Sequence, residues 1–167
     1  MQIDETKVGK RKDNRGKRRK GIWILGIISE EERGRVVLEV IEGRDHESII
    51  PIIKKHVAPG TTIKTDCLVT YDILKRLGFN HAPVNHSLYL VEPWTGLNTN
   101  LIEGSWFHFK ASLPKAGLHS QTDCYGSYLY QFTYQRLTRY QYPDADPLLV
   151  FLRLWGETVK VSATAAQ

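Results

Sequence analysis

The chain has 167 residues, 41% hydrophobic and 25% charged, with a formal net charge of +5, which suits one domain with a real core rather than two. No run approaches the roughly 18 apolar residues of a membrane span, and no charged, then apolar, leader opens the sequence. Cys67 and Cys124 make neither a CxxC pair nor a disulfide framework, so the expectation is a non-membrane, non-secreted protein of a reducing compartment.

Residues 1–5 read as a short strand. Strand alternation sends Asp4 and Glu5 to opposite faces. The positive charge is concentrated next to this strand: residues 1–20 hold nine Lys/Arg against three Asp/Glu, a net +6 that exceeds the charge of the whole chain. Lys10, Arg11, Lys12, Arg15, Lys17, Arg18, Arg19 and Lys20 form a turn-rich basic segment, the footprint of a polyanion partner. A solvated loop or a localisation signal is the plain alternative.

Gly21–Ile28 is a continuous apolar run suited to a strand buried on both faces, and residues 35–41 are a β-branched strand. Asp45 caps a helix to about residue 57, with Glu47 in its first turn, Lys54, Lys55 and His56 in its last, and Pro51 fitting only its early turns. Thr61–Asp66 is the next strand. A short helix is expected over 70–77, ended by Gly78, then a strand over 81–91. Residues 98–113 are helical, with Ile102, Trp106, Phe109 and Leu113 as the core stripe and Glu103, Phe107 and Lys110 on an adjacent one. A last helix covers about 121–139. The tail 142–167 carries an apolar patch at 148–155, and its last ten or so residues are expected to be poorly ordered.

This order gives a mixed sheet, three antiparallel strands and then parallel ones reached by helical crossovers, with helices on both faces. Carboxylates at the ends of adjacent strands converge in such a sheet. Asp4 and Asp66 stand at strand ends and Glu103 at the start of a helix. Two Asp and one Glu can hold two hard divalent cations, which take oxygen ligands. Two such ions serve both oxygens of a phosphodiester displacement. Seven residues of helix put Lys110 about 10 Å from Glu103 along the axis, the reach of a phosphate clamp. Asn100-x-x-Glu103 also fits a capping box with Asn100 as N-cap, a role compatible with metal ligation by Glu103. His86 is either a hydrogen-bonded strand-end histidine or a group orienting substrate or water. Trp23, Trp106 and Trp155 read as core, and Trp94 lies in a loop between the candidate elements.

The segments Ile3-Asp4-Glu5-Thr6 with Gly9-Lys10-Arg11-Lys12, Gly60–Cys67, Val84-Asn85-His86-Ser87, and Gly96–Trp106 with Lys110 resemble the catalytic domain of DDE-superfamily transposases of the ISXO and Merlin type. The resemblance covers roughly residues 1–140, leaving 141–167 as a C-terminal tail. It implies a ribonuclease-H-like five-stranded sheet, with Asp4, Asp66 and Glu103 as ligands of two Mg²⁺ or Mn²⁺ ions and Lys110 as the accompanying basic residue. Asn100 is an alternative third ligand, because the family admits Asn there. The implied activity is cleavage and strand transfer at transposon ends, with DNA as partner and a homo-oligomer as the active form. It would act in the nucleus of a eukaryote or the cytoplasm and nucleoid of a bacterium. The sequence begins at the first catalytic strand, without the zinc-ribbon or helix-turn-helix that reads transposon ends in such proteins. A truncated copy, an excised domain or a domesticated remnant is expected. A catalytically inactive DNA-binding module and a nuclease without strand transfer are the alternatives.

Overall fold

The computed structural model describes residues 1–9, 21–32, 34–84, 98–114 and 122–154, with backbone alone for 122–124. Five strands form one sheet in the order β3-β2-β1-β4-β5. They are β1 (Gln2–Val8), β2 (Ile22–Ile28), β3 (Val36–Ile41), β4 (Thr62–Thr65) and β5 (Asn80–Pro83). The first three are antiparallel neighbours, and β4 lies parallel to both β1 and β5. This is the ribonuclease-H-like arrangement expected from the sequence. The short apolar run at residues 1–5 extends three residues further, because Thr6, Lys7 and Val8 pair with Ile24, Trp23 and Ile22.

Each face of the sheet has its own core. On one side Ile3, Leu25, Ile27 and Ile63 meet Ile49, Ile50 and Ile53 of helix α1 (His46–His56), with Tyr71 and Leu74 beside them. On the other, Val8, Ile24, Ile28 and Val36 meet Ile102, Trp106 and Phe109 of α2 (Asn100–Ser112). Tyr125, Leu129 and Phe132 of α3 (Thr122–Gln141) complete that core. β1 is central and covered on both sides, which is why a short segment with two acids is so deeply enclosed.

α1 starts as expected: the Asp45 carboxylate accepts from Ser48 N at 2.8 Å. Pro51 stands sixth in the helix, on its exposed side, where the missing N–H costs one bond without burying an unmet carbonyl. Three expectations need correction. The segment expected as a helix over 70–77 is a 3-10 turn at Val69–Tyr71 followed by turns. Its bonds are largely of the tight i→i+3 kind, such as Leu74 N to Tyr71 O and Gly78 N to Lys75 O. The strand expected over 81–91 is seen as β5, ending at Pro83 on the sheet edge, where a missing N–H is tolerated; residues 85–91 lie outside the described residues. The tail carries a helical stretch at 147–154 that buries Val150 and sets Phe151 edge-on to Tyr134. The expected disorder at the end of the chain falls outside the described residues.

The third correction concerns the start of α2. Thr99, not Asn100, is the cap residue, and its side chain makes no cap hydrogen bond. The cap comes from another element: Gln2 Oε1 accepts from Ile102 N at 3.0 Å across 100 residues. Gln2 is buried at 1% exposure, and its amide nitrogen donates to Glu30. A helix terminus with unmet N–H groups is thereby docked onto the first strand.

Candidate active site

The parallel register sets Gln2 beside Lys64, so Asp66, directly after β4, comes level with Asp4 in β1. Asp4 faces the α2 side of the sheet, opposite Gly26 of β2. Gly26 decides the packing there. A Cβ on it would stand 2.5 Å from the Trp106 ring and 2.9 Å from Ile102 Cδ1, so only glycine lets α2 approach this closely. The indole lies against the sheet, and its Nε1–H donates to Asp4 Oδ2 at 2.9 Å.

Burial is the main force on the Asp4 carboxyl and raises its pKa above the ordinary 3.8. The Trp106 and Glu5 hydrogen bonds oppose the rise, while the negative charges of Asp66 and Glu103 add to it. Asp4 therefore senses both other acids. Asp66 Oδ1 accepts from Leu68 N at 3.0 Å, and its Oδ2 lies 3.5 Å from Arg44 Nη2. Glu103 is exposed in the first turn of α2 and accepts from Thr99 Oγ1 at 2.9 Å.

The donor set is three carboxylates, hard oxygen ligands of the kind Mg²⁺ and Mn²⁺ take, and mutual repulsion marks a place where positive charge is favourable. Among the described residues no three His, Cys, Asp or Glu side chains are gathered closely enough to hold a metal ion. Asp66 is turned to Arg44 and Leu68, and Glu103 to Thr99.

Beneath the site lies a charged cluster on the opposite face. The Glu5 side chain is fully buried and bound by Arg44 Nε at 2.8 Å. The Tyr71 hydroxyl also donates to it. Burial raises the Glu5 pKa, against the hydrogen bonds of Tyr71 and Arg44. Burial and the Glu5 charge together hold the Tyr71 hydroxyl well above its usual range. Arg44 is fixed further by the Trp23 ring, 5.1 Å away, and by Thr70 Oγ1, which donates to its carbonyl at 2.6 Å. Arg44 thus ties the buried Glu5 to Asp66.

Lys110 is exposed on the same stripe of α2 as Glu103 and Phe107. Asn100 is the first residue of α2, exposed, with its N–H near Asn98 Oδ1 at 3.3 Å. His86 and Trp94 lie outside the described residues, as do Lys10, Arg11, Lys12, Arg15, Lys17, Arg18, Arg19 and Lys20. β1 and β2 run on past the level of Asp66 and end at Val8 and Ile22.

Arg44, Tyr71 and Gly26 carry no signal in the sequence, since their partners are 39, 66 and 80 residues away. For Trp106 the sequence suggested only a core role. Its position three residues after Glu103 was the available clue.

The described residues form an α/β domain with acidic side chains at one end of a ribonuclease-H-like sheet. Residues 1–136 match the ISXO2-like transposase domain, and the chain belongs to that family. It is also 32% identical over 84 residues to an "Uncharacterized transposase-like protein" of Haemophilus influenzae. That match spans 48% of this chain and 64% of the relative's length. Among the described residues no helix is long and apolar enough to cross a membrane.

Proposed function

We propose that this domain cleaves a DNA strand at a transposon end and joins the freed 3′-hydroxyl to target DNA. The carrying observation is that the parallel pairing of β1 with β4 brings Asp66 level with Asp4, while α2, which bears Glu103 in its first turn, is bound to Asp4 through Trp106. Asp4, Asp66 and Glu103 are the ligands in this reading, with Asn100 the alternative third. Two bound Mg²⁺ or Mn²⁺ ions would supply Lewis acidity to the attacking and leaving oxygens of an in-line displacement. The protein's own groups do the positioning. Arg44 steadies Asp66, Lys110 takes a phosphate beside Glu103, and His86 orients substrate or water. The basic segment 10–20 follows the DNA backbone beyond the site. Residues 1–140 form the catalytic unit and 141–167 a tail. The active form is a homo-oligomer, in the nucleus or nucleoid according to host.

A second reading is a DNA-binding module that retains the fold without cleavage. The side-chain arrangement favours it in one respect: Asp66 is held by Arg44 rather than aimed at a shared ion. A strand-transfer assay with a labelled transposon end and Mn²⁺ or Mg²⁺ separates the readings. Cut and joined products, absent with EDTA, are expected. Cutting without joining leaves a nuclease, and DNA binding with neither product leaves the module.

A further inference from the structure

We infer that the cleft between the C-terminal halves of α2 and α3 binds a phosphate group through the Arg136 and Arg139 guanidiniums. The cleft lies apart from the acids, and its chemistry needs no metal ion.

The cleft has a volume of about 470 Å³. One wall is a single face of α3, where Gln135, Arg136, Arg139 and Tyr140 recur at helical spacing. The other wall is His108 and Ser112, one turn apart on α2. The described lining holds two arginines and no acid.

Arg136 carries the case. Its Nε is buried and has no hydrogen-bond partner among the described residues. No carboxylate among them pairs with its charge, which is met by the Tyr140 ring 5.3 Å from Cζ. Burial pulls its pKa below the ordinary value, and Tyr140 opposes the pull. Arg139 complements the dipole of the last turn of α3; Arg136, one turn earlier, has no such use. A partly buried guanidinium without an anion is costly, and each of its N–H groups needs an acceptor. Its planar fork matches two phosphate oxygens at once. A carboxylate would occupy that fork alone. A phosphate has further oxygens for Arg139 and for the donors of Gln135 and His108.

The cleft is held in shape by the core beneath it. Phe132, which lines it, stands edge-on to Phe109 at 5.3 Å and joins α3 to α2. Gly34, with φ +89°, lets the end of α3 settle on the β2–β3 connection. A Cβ there would stand 2.7 Å from Tyr140 Cβ and 3.2 Å from the Arg136 carbonyl oxygen. The start of α3 sets Tyr125 against Gly9, past the end of β1. α3 thus spans the sheet, and the cleft stands at the end away from Val8 and Asp66.

The test is phosphate binding by the full chain, with EDTA throughout so that the result is independent of any metal site. The Arg136 Nε–H resonance is followed by NMR during titration with sodium phosphate, and with sodium chloride at equal ionic strength. It should shift to saturation with phosphate and stay in place with chloride. At about ten times Kd, phosphate should raise Tm by about 3–6 °C. Arg136→Met keeps the length of the side chain, removes the fork and should abolish that rise. Should it fail to fold, Arg139→Gln, at an exposed position, should weaken phosphate binding about tenfold. A duplex oligonucleotide identifies the source of the phosphate. If Arg136→Met weakens duplex binding and flattens the log–log salt slope by roughly 0.9, the phosphate belongs to a DNA backbone. If phosphate binding is lost and duplex binding is unchanged, the ligand is free phosphate. A resonance that moves with neither ligand, or equally with chloride, overturns the inference, as does phosphate binding that survives both substitutions.

Discussion

Gly26→Ala is the sharpest perturbation of the packing that brings α2 to the acids. The added methyl would stand 2.5 Å from Trp106 Cζ2 and Cη2 and 2.9 Å from Ile102 Cδ1. Carbon contacts settle at about 3.5–4.0 Å, so the indole must retreat by roughly 1 Å. There is no slack to absorb this, since Ile102 is 0% and Trp106 5% exposed. Overpacking a filled core costs about 1–3 kcal/mol. Stretching the hydrogen bond to Asp4 adds to it, bringing the total to about 3 kcal/mol. For a chain of this size that is a fall in Tm of roughly 6–12 °C. Urea and thermal unfolding measure it, and the same substitution in a Trp106→Leu background should cost much less, because the colliding ring is gone. A Gly26→Ala protein within about 0.5 kcal/mol of wild type, the range of ordinary surface substitutions, would refute the reasoning.

Asp4→Asn should stabilise the protein at neutral pH. Burial raises the Asp4 pKa above its ordinary value, so the stability associated with its protonated form is present below about pH 4 and lost as pH rises through the folded pKa. Asn avoids that loss. Its Tm should exceed wild type at pH 7 and match it near pH 3; an equal or lower Tm at pH 7 contradicts the burial argument. Asp66→Asn should remove cleavage while leaving DNA binding intact or slightly tighter, since a negative charge beside the phosphates is gone; wild-type cleavage in Mg²⁺ would show that Asp66 is not a ligand. Neutralising Lys10, Arg11 and Lys12 should weaken binding alike for all sequences, because the segment is rich in charge and poor in base-reading amides. It should also flatten the salt dependence by roughly 0.9 in log–log slope for each lost phosphate contact. An unchanged slope assigns the segment to another task.

Much of the architecture was legible because it is written in local pattern. The apolar run at 21–28 and the β-branched run at 35–41 need no partner to be read as strands. The Asp45 cap with its trailing Lys54, Lys55 and His56 marks α1 at both ends. The acids Asp4 and Asp66 were legible as a pair because parallel strands joined by a helical crossover bring equivalent ends together. What stayed hidden was long-range. The start of α2 was assigned to a local capping box at Asn100, whereas its N–H is met by Gln2, a residue that no window around position 100 contains. Glu5 was correctly turned from Asp4, but nothing nearby announced Arg44 and Tyr71, which meet it only through the fold. Residues 70–77 were misjudged as a helix because tight i→i+3 turns share its apolar spacing.

The 102 residues that separate Asp4 from Trp106 have a consequence during synthesis. At about 5–20 residues per second, Asp4 leaves the ribosome roughly 5–20 seconds before the helix that completes its surroundings. The pairing of β1 with β2 can form in that interval; the contact between Asp4 and Trp106 cannot. A chain cut short before α2 would therefore hold Asp4 without the indole that binds it and leave that face of β1 without its covering helix.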